Sequence, residues 1–199
     1  DEVAFDVMSE SISEISSKVD FEIKMGVDMA ASELYDSTQD CYDYGDISRS
    51  VDEQIDYVSD LSRVYSLAYI EDPLDQDDFE GFSKLTNSIG ESALVCGDDL
   101  FATNVTRLKK GIDLKAANSI LIKPNQIGTL TETLEAINLA KKNNITPVVS
   151  HRSGETEDTT ISHIAFATQA SYIKTGVVGG ERTTKLNELI RIEQEIKTL

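Results

Sequence analysis

Basic residues and long apolar runs are scarce in this sequence, and each scarcity excludes a class of partner. Lysine and arginine total 18 against 36 aspartates and glutamates, which gives a formal net charge of −18. Such a balance disfavours binding to the phosphate backbone of nucleic acids or to an anionic membrane surface. No apolar run approaches the roughly 18 residues that a membrane span needs. We therefore expect a soluble globular protein with no nucleic-acid partner and no membrane span.

Cysteine is equally scarce, since the chain has only Cys41 and Cys96. Two cysteines do not make a disulfide framework, and such low usage fits a reducing cytoplasm. Cys96 ends the apolar run Ala93–Cys96, so we predict that it is a buried free thiol. The expected location of the protein is the cytoplasm.

The N-terminal residues lack an initiator methionine and also lack the basic region of a signal peptide. They are acidic and open directly in a helical pattern of apolar residues. We therefore expect the sequence to be a piece of a longer protein.

Short β-branched runs alternate with amphipathic helical patterns along the chain, which predicts a parallel sheet covered by helices. Helix starts are predicted at Ser50 with Glu53, at Asn104, and at Thr129 with Glu132. The predicted strands are Phe21–Val27, Leu67–Ile70, Ala93–Cys96, Ser119–Ile122, Thr146–Val149 and Tyr172–Lys174.

Charged residues end every predicted strand, and this decides between two parallel architectures. They are Asp28, Glu71-Asp72, Asp98-Asp99, Lys123, His151-Arg152 and Lys174. A polar group after each strand indicates the ring of sites at the C-terminal face of a barrel, whereas an open sheet concentrates its site at one switch point. We predict one α/β domain over residues 1–199, an incomplete TIM-type (β/α)8 barrel. About six of its eight strand-helix units are present, and the first two are expected upstream of Asp1.

Three carboxylates, Asp28, Glu71 and Asp98, end three successive strands and are the candidate metal ligands. Like charges that converge on one cavity repel each other unless a cation lies among them, and carboxylate oxygens suit Mg²⁺. For any one of these acids alone, a solvated loop end is the commoner interpretation. Asp36, Asp40, Asp43 and Asp46 lack the calcium-loop spacing and are predicted to be solvated.

The cationic strand ends are candidates for proton transfer and anion binding. A lysine placed beside another cation is a usable general base, which applies to Lys123 and Lys174. The alternative for each lysine is a salt bridge to a neighbouring carboxylate. Arg152 offers a bidentate fork for phosphate, and Ser153 adds a hydroxyl donor. Gly176, Gly179 and Gly180 are interpreted as turn residues.

The run Ser150–Thr159 is very similar to the signature of the enolase family. Five further segments match that family in order, so the resemblance covers essentially the whole chain. These segments are Gly26–Glu33, Ile70–Asp78, Gly97–Asn104, Ile122–Gly128 and Ile173–Gly176. Pro124 and Val177–Gly180 depart from bacterial and eukaryotic enolases and resemble archaeal ones.

The resemblance implies a Mg²⁺-dependent lyase of glycolysis and gluconeogenesis that interconverts 2-phosphoglycerate and phosphoenolpyruvate. By the same resemblance, Asp28, Glu71 and Asp98 hold the metal, and Lys123 is the catalytic base that removes the C2 proton. The implied substrate-binding residues are Glu71, Asp98, Lys123, His151, Arg152, Ser153 and Lys174.

Enolases also carry an N-terminal lobe and a Gly-Asp-Glu-Gly motif whose Glu is the general acid, and neither occurs in this sequence. We therefore expect the chain by itself to be inactive. The family is commonly dimeric or octameric, and enolases are also found at cell surfaces. Two alternatives stay open: another enzyme of the wider superfamily, such as a racemase or a lactonising enzyme, and a non-catalytic fragment that acts as a binding module.

Overall fold

A computed structural model describes residues 2–198. Its α-helices are α1 (Glu2–Ser16), α2 (Val51–Tyr65), α3 (Phe79–Ile89), α4 (Val105–Leu114), α5 (Pro124–Ile127), α6 (Leu130–Lys142), α7 (Thr160–Ala167) and α8 (Gly180–Ile196). Its strands are β1 (Gly26–Asp28), β2 (Tyr35–Asp36), β3 (Cys41–Asp43), β4 (Ser48–Ser50), β5 (Tyr69–Glu71), β6 (Leu94–Gly97), β7 (Ser119–Ile122), β8 (Thr146–Ser150) and β9 (Tyr172–Lys174). A short 3₁₀ helix spans Ala31–Leu34.

The chain divides into two compact units, and the first comprises Asp1–Leu100 with Gly111–Asn118. Its strands β1, β5 and β6 are parallel and lie in that order. Val95 and Cys96 of β6 are fully buried, which confirms the predicted buried thiol; both cysteines are free. The unit therefore has the expected parallel α/β arrangement.

The second unit comprises Phe101–Lys110 with Ser119–Leu199, and its strands β7, β8 and β9 are also parallel in that order. All four residues of β7 are buried. A continuously apolar strand of this kind is typical of a parallel sheet that is covered on both faces. The described part of the chain thus contains six parallel strands, each followed by a helix, as the sequence predicts.

The first strand is shorter than the predicted Phe21–Val27. Strand pairing begins only at Gly26, which lies opposite Tyr69 of β5. Phe21 is 64% exposed, so its β-forming character is not used to pack a strand. The apolar residues of this segment predicted a strand but did not show at which residue its pairing with β5 begins.

The acidic segment after β1 was interpreted as a solvated loop, and that interpretation was only half right. Strands β2, β3 and β4 form a three-stranded antiparallel sheet there. The side chains of Asp40, Asp43 and Asp46 are exposed and that of Asp36 is half-buried. Several of these acids accept hydrogen bonds from nearby turn residues, so they shape the turns of the small sheet.

Helix starts follow the predicted caps. The Ser50 side chain accepts from the Glu53 backbone N–H while the Glu53 carboxylate accepts from the Ser50 N–H, which completes a capping box. Thr129 accepts from the backbone N–H of Glu132. Asn104 caps α4 through the N–H groups of Thr106 and Arg107. None of the helices in residues 2–198 has the length and apolar character that crossing a membrane requires.

Tyr42 of β3 connects the small sheet to the loop after β5. Its side chain is fully buried, and its hydroxyl accepts a 2.8 Å hydrogen bond from the backbone N–H of Asp75. Burial raises the pKa of the Tyr42 hydroxyl above its ordinary value. The Tyr35 hydroxyl, in contrast, donates to the exposed carboxylate of Asp40.

We predict that Tyr42→Phe lowers the free energy of unfolding by about 1–3 kcal/mol, because it leaves the Asp75 N–H without its acceptor. Tyr35→Phe is the matched control and is expected to cost less than about 1 kcal/mol, since water replaces an exposed partner. Urea denaturation of the three proteins measures both changes. Equal losses for the two variants would contradict the role assigned to Tyr42.

Candidate active site

The predicted metal ligands of the first unit lie at the carboxyl ends of its three parallel strands. Asp28 lies directly opposite Glu71, and Glu71 lies opposite Cys96, two residues before Asp98. Paired residues of neighbouring parallel strands point to the same face of a sheet, so Asp28 and Glu71 share a face, and Asp98 follows directly after the end of β6. Glu71 is 1% exposed and Asp98 is 7% exposed, whereas Asp28 is exposed.

Two hydrogen bonds orient the first pair of carboxylates. The Tyr69 hydroxyl donates to Glu71 Oε2 at 2.7 Å, and the Ala30 N–H donates to Asp28 Oδ1 at 3.2 Å. Burial, together with the nearby anionic groups, raises the pKa of Tyr69 well above its ordinary value, so the hydroxyl stays a donor. Glu71 Oε2 is therefore held in place as a hydrogen-bond acceptor.

Asp72 was recognised as a charged strand end but was not among the predicted site residues. Its two carboxylate oxygens accept from the backbone N–H groups of Asp98 and Asp99, each at 2.9 Å. Burial outweighs these bonds and raises the pKa of Asp72 to about 7. Oxygens of Asp72, Asp98 and Asp99 lie within 4.8 Å of one another, the only such group of three among residues 2–198. The structure thus supports Asp98 as a cluster member and does not place Asp28 and Glu71 in a group at that spacing.

The donor set of the first unit fits a hard divalent cation. It consists of carboxylate oxygens, which Mg²⁺ prefers. Two of the carboxylates, Glu71 and Asp98, are almost completely buried, and burying ionised carboxylates without a neutralising charge is costly. The assignment of Mg²⁺ to Asp28, Glu71 and Asp98 remains a prediction.

Lys123 stands at the end of β7, where the chain turns into α5. Its backbone N–H donates to the hydroxyl of Thr103 at 2.9 Å, and that hydroxyl donates to Gln126 at 3.1 Å. Thr103 is fully buried. A buried side chain outside β7 therefore fixes the backbone from which the half-buried Lys123 projects.

The segment His151–Ser153 follows β8 directly and lies next to the end of β9. The His151 N–H donates to the carbonyl of Lys174 at 3.0 Å, so the parallel register brings these two predicted residues together. Arg152 donates to Asn125 at 3.2 Å. A cavity of about 320 Å³ is lined in part by Asn125, Arg152 and Glu155.

Glu155 folds back onto the same loop. Its carboxylate accepts from the backbone N–H of Arg152 at 3.2 Å and of Thr156 at 2.8 Å. Burial alone raises the pKa of Glu155, but these hydrogen bonds and the nearby Lys185 bring it below its ordinary value. Glu155 is therefore a charged anchor of the loop at neutral pH.

Two basic residues of α8 hold this loop from the other side, and neither was predicted. Arg182 donates to the carbonyls of Arg152 and Ser153, both at 2.8 Å. Lys185 is 1% exposed; its ammonium donates to the carbonyl of Thr156 and, at 2.7 Å, to that of Glu181. It also lies 3.6 Å from the Glu155 carboxylate.

Gly176 and Gly179 serve the turn after β9, as predicted, whereas Gly180 is the first residue of α8. Gly176 and Gly179 have φ values of 73° and 97°, in the left-handed region that side chains rarely adopt. These two glycines let the chain reverse between Lys174 and the start of α8.

The sequence of this chain is similar to a known protein family and to several individual proteins. Residues 1–198 match the sequence model of the family described as "Enolase, C-terminal TIM barrel domain". The chain is 60% identical to the enolase of Halorubrum lacusprofundi over 96% of its own length, which is 48% of that protein. It is 61% identical to the enolase of Natronomonas pharaonis over 97% of the chain and 48% of that protein. For the enolase of Archaeoglobus fulgidus the identity is 53% over 98% of the chain and 48% of the relative.

This chain belongs to the enolase family. The match confirms the predicted α/β fold, an incomplete TIM-type barrel, and these enolase relatives are all archaeal, as expected. The chain spans about half the length of the curated enolases that it matches.

We predict that Lys185→Met lowers the free energy of unfolding by about 2–4 kcal/mol, because it removes the cation beside the half-buried Glu155 carboxylate and the charged donor to the Thr156 carbonyl. Lys197→Met is the control, since Lys197 pairs with Glu193 on the exposed surface of the same helical segment. Loss of such a pair costs about 0–1 kcal/mol. Guanidinium denaturation compares the variants, and a Lys185→Met chain as stable as the Lys197→Met chain would contradict the anchoring role.

Proposed function

We propose that this chain is the larger part of the catalytic barrel of an enolase that dehydrates 2-phosphoglycerate reversibly to phosphoenolpyruvate. The observation that carries the proposal is the parallel register, in which Asp28 lies opposite Glu71 and Glu71 lies opposite Cys96, two residues before Asp98. Membership of the enolase family supports it. The low cysteine content fits a cytoplasmic enzyme, and the whole protein is proposed to be a homo-oligomer, as enolases commonly are.

Asp28, Glu71 and Asp98 are the proposed Mg²⁺ ligands. When bound there, Mg²⁺ would supply positive charge that offsets the negative charge developing on the substrate carboxylate. The buried positions of Glu71 and Asp98 exclude water and strengthen electrostatic interactions at this place. Asp72 acts indirectly, since it holds the backbone of Asp98 and Asp99.

Lys123 is the proposed general base and takes the proton from C2 of the substrate. The Thr103 hydroxyl fixes its backbone, which restricts the positions its ammonium group can reach. Lys174 adds positive charge beside the developing enolate. His151, Arg152 and Ser153 bind the anionic substrate, and Asn125 orients the Arg152 guanidinium for a bidentate contact with phosphate.

The leaving hydroxide needs a proton, and the resemblance assigns that role to a Glu that this chain does not contain. A general acid commonly contributes about 10²–10⁴-fold to the rate. The chain by itself is therefore proposed to be inactive, and the complete protein to be active.

We predict that Mg²⁺ stabilises the chain against thermal unfolding and that Glu71→Gln abolishes this effect. A ligand at 100 times its dissociation constant adds about 2.7 kcal/mol to the native state. Glu80→Gln, at an exposed position in the first turn of α3, is the matched control and should keep the full response.

Asp99→Asn distinguishes the proposed ligands from the cluster of Asp72, Asp98 and Asp99. The same thermal unfolding measurement applies. If Mg²⁺ is held by Asp72, Asp98 and Asp99, this variant loses the response and Glu71→Gln keeps it. That pattern would contradict the proposed ligands.

We predict that the full-length protein encoded with this chain converts 2-phosphoglycerate to phosphoenolpyruvate and that the 199-residue chain alone does not. In the full-length protein, Lys123→Ala is expected to lower kcat by about 10²–10⁴-fold through loss of the general base. Lys142→Ala, on the exposed side of α6, should leave kcat unchanged. Ultraviolet detection of phosphoenolpyruvate measures all four proteins, and robust turnover by the chain alone would show that the missing half supplies no essential group.

A further inference from the structure

A single guanidinium contacts all three residues of the His151–Ser153 segment. Arg182 Nη1 lies 2.6 Å from Nδ1 of His151. The same nitrogen donates to the carbonyl of Arg152, and Nη2 donates to the carbonyl of Ser153. Each guanidinium nitrogen involved carries two hydrogens, so all three hydrogen bonds form together.

The contact with His151 has only one consistent proton arrangement. A guanidinium has five N–H donors, has no acceptor, and does not lose its proton in proteins. Nδ1 of His151 must therefore be the acceptor, since a proton on Nδ1 would point at an N–H group. The ring is then neutral and carries its hydrogen on Nε2.

The charges around the ring favour the same state. Burial lowers the pKa of His151 below its ordinary value, and the cations Arg182 of α8 and Lys174 at the end of β9 lower it further. Glu155, in the loop after β8, acts in the opposite direction, as does a backbone hydrogen bond with Thr175. The cations and burial prevail, so His151 is neutral at pH 7.

The turn after β9 packs against both partners. A Cβ atom built on Gly176 would lie 3.6 Å from Cγ and Cδ of Arg182 and 3.7 Å from Cε1 of His151. The Thr175 hydroxyl donates to the carbonyl of Arg182 at 3.4 Å. The turn therefore lies close to both side chains, and the Thr175 hydroxyl is bonded to the main chain of Arg182.

We propose that Arg182 is a positioning residue that fixes His151 as the Nε2–H tautomer and holds the backbone of the His151–Ser153 segment, which is proposed to bind the phosphorylated substrate. This assignment rests on the proposed function for the identity of the substrate. The tautomer itself rests only on the geometry around Nδ1. Arg182 acts through His151 and through the loop carbonyls rather than on the substrate.

The test is long-range ¹H–¹⁵N NMR of the ¹⁵N-labelled chain, which reports which ring nitrogen carries the proton. The chain has two histidines, and a His163→Gln variant assigns the remaining signal to His151. We expect a non-protonated Nδ1 and a titration midpoint below the ordinary value of about 6.5. Arg182→Met should populate the Nδ1–H tautomer and raise the midpoint.

Two further variants control for charge and for folding. Arg182→Lys keeps a donor-only cation at the position and should retain the Nε2–H tautomer. Arg63→Met removes an exposed arginine that pairs with Asp60, so it should leave the His151 signals unchanged. Identical His151 signals in the natural chain and in folded Arg182→Met would overturn the assignment.

Kinetics of the full-length protein separate this inference from the proposed function. Arg182→Met is expected to lower kcat/KM for 2-phosphoglycerate by about 10–100-fold, the range seen for groups that orient a functional histidine. Arg63→Met is expected to leave kcat/KM unchanged. A tautomer change with unaltered kcat/KM would overturn the positioning role in the reaction. Absence of any turnover by the natural protein would overturn the proposed function and leave the NMR result standing.

Discussion

Hydrogen bonds between a buried ionisable side chain and the backbone of a site loop are the interaction on which each unit depends. In the first unit the Asp72 carboxylate accepts two backbone N–H groups of the segment that carries Asp98. In the second unit the Lys185 ammonium donates to two backbone carbonyls, including that of Thr156. Asp72 accepts hydrogen bonds and Lys185 donates them, but both serve the same need, because a loop without regular structure requires partners for its buried polar groups. Hydrogen bonds to charged groups are worth more than neutral ones, so one side chain suffices in each case.

The parts of the fold that the sequence predicted correctly are those set by near neighbours along the chain. Caps such as Ser50 with Glu53 need only residues three positions apart, and buried strands such as β7 are recognisable as continuous apolar runs. The order of polar strand ends was also visible, because in a parallel sheet every strand delivers its last residue to the same edge. Local rules therefore located Glu71, Lys123 and His151 at strand ends before any contact was known.

The parts that could not be predicted depend on partners distant in sequence. Tyr42 meets Asp75 across 33 positions, so nothing local marks the segment around it as a folded sheet. Asn118 is a second case: its side chain accepts from Val95 and donates to the carbonyls of Gly90 and Ala93. An asparagine before a strand is ordinarily interpreted as a turn residue. Only the three-dimensional neighbourhood shows that it completes the backbone hydrogen bonding where β6 begins.

Arg182 and Lys185 are basic residues near the start of a helix, and this position is itself a signal in the sequence. Arg182 lies in the first turn of α8 and Lys185 in the second, and the helix macrodipole disfavours a cation in the first turn by about 0.3–1 kcal/mol. A basic residue placed there against the dipole needs a compensating partner. The hydrogen bonds from these side chains to loop carbonyls, at about 1.5–3 kcal/mol each for a charged donor, exceed that cost. The unfavourable position is therefore stable only because α8 is docked on the loop after β8, and the same docking places a donor-only group against Nδ1 of His151.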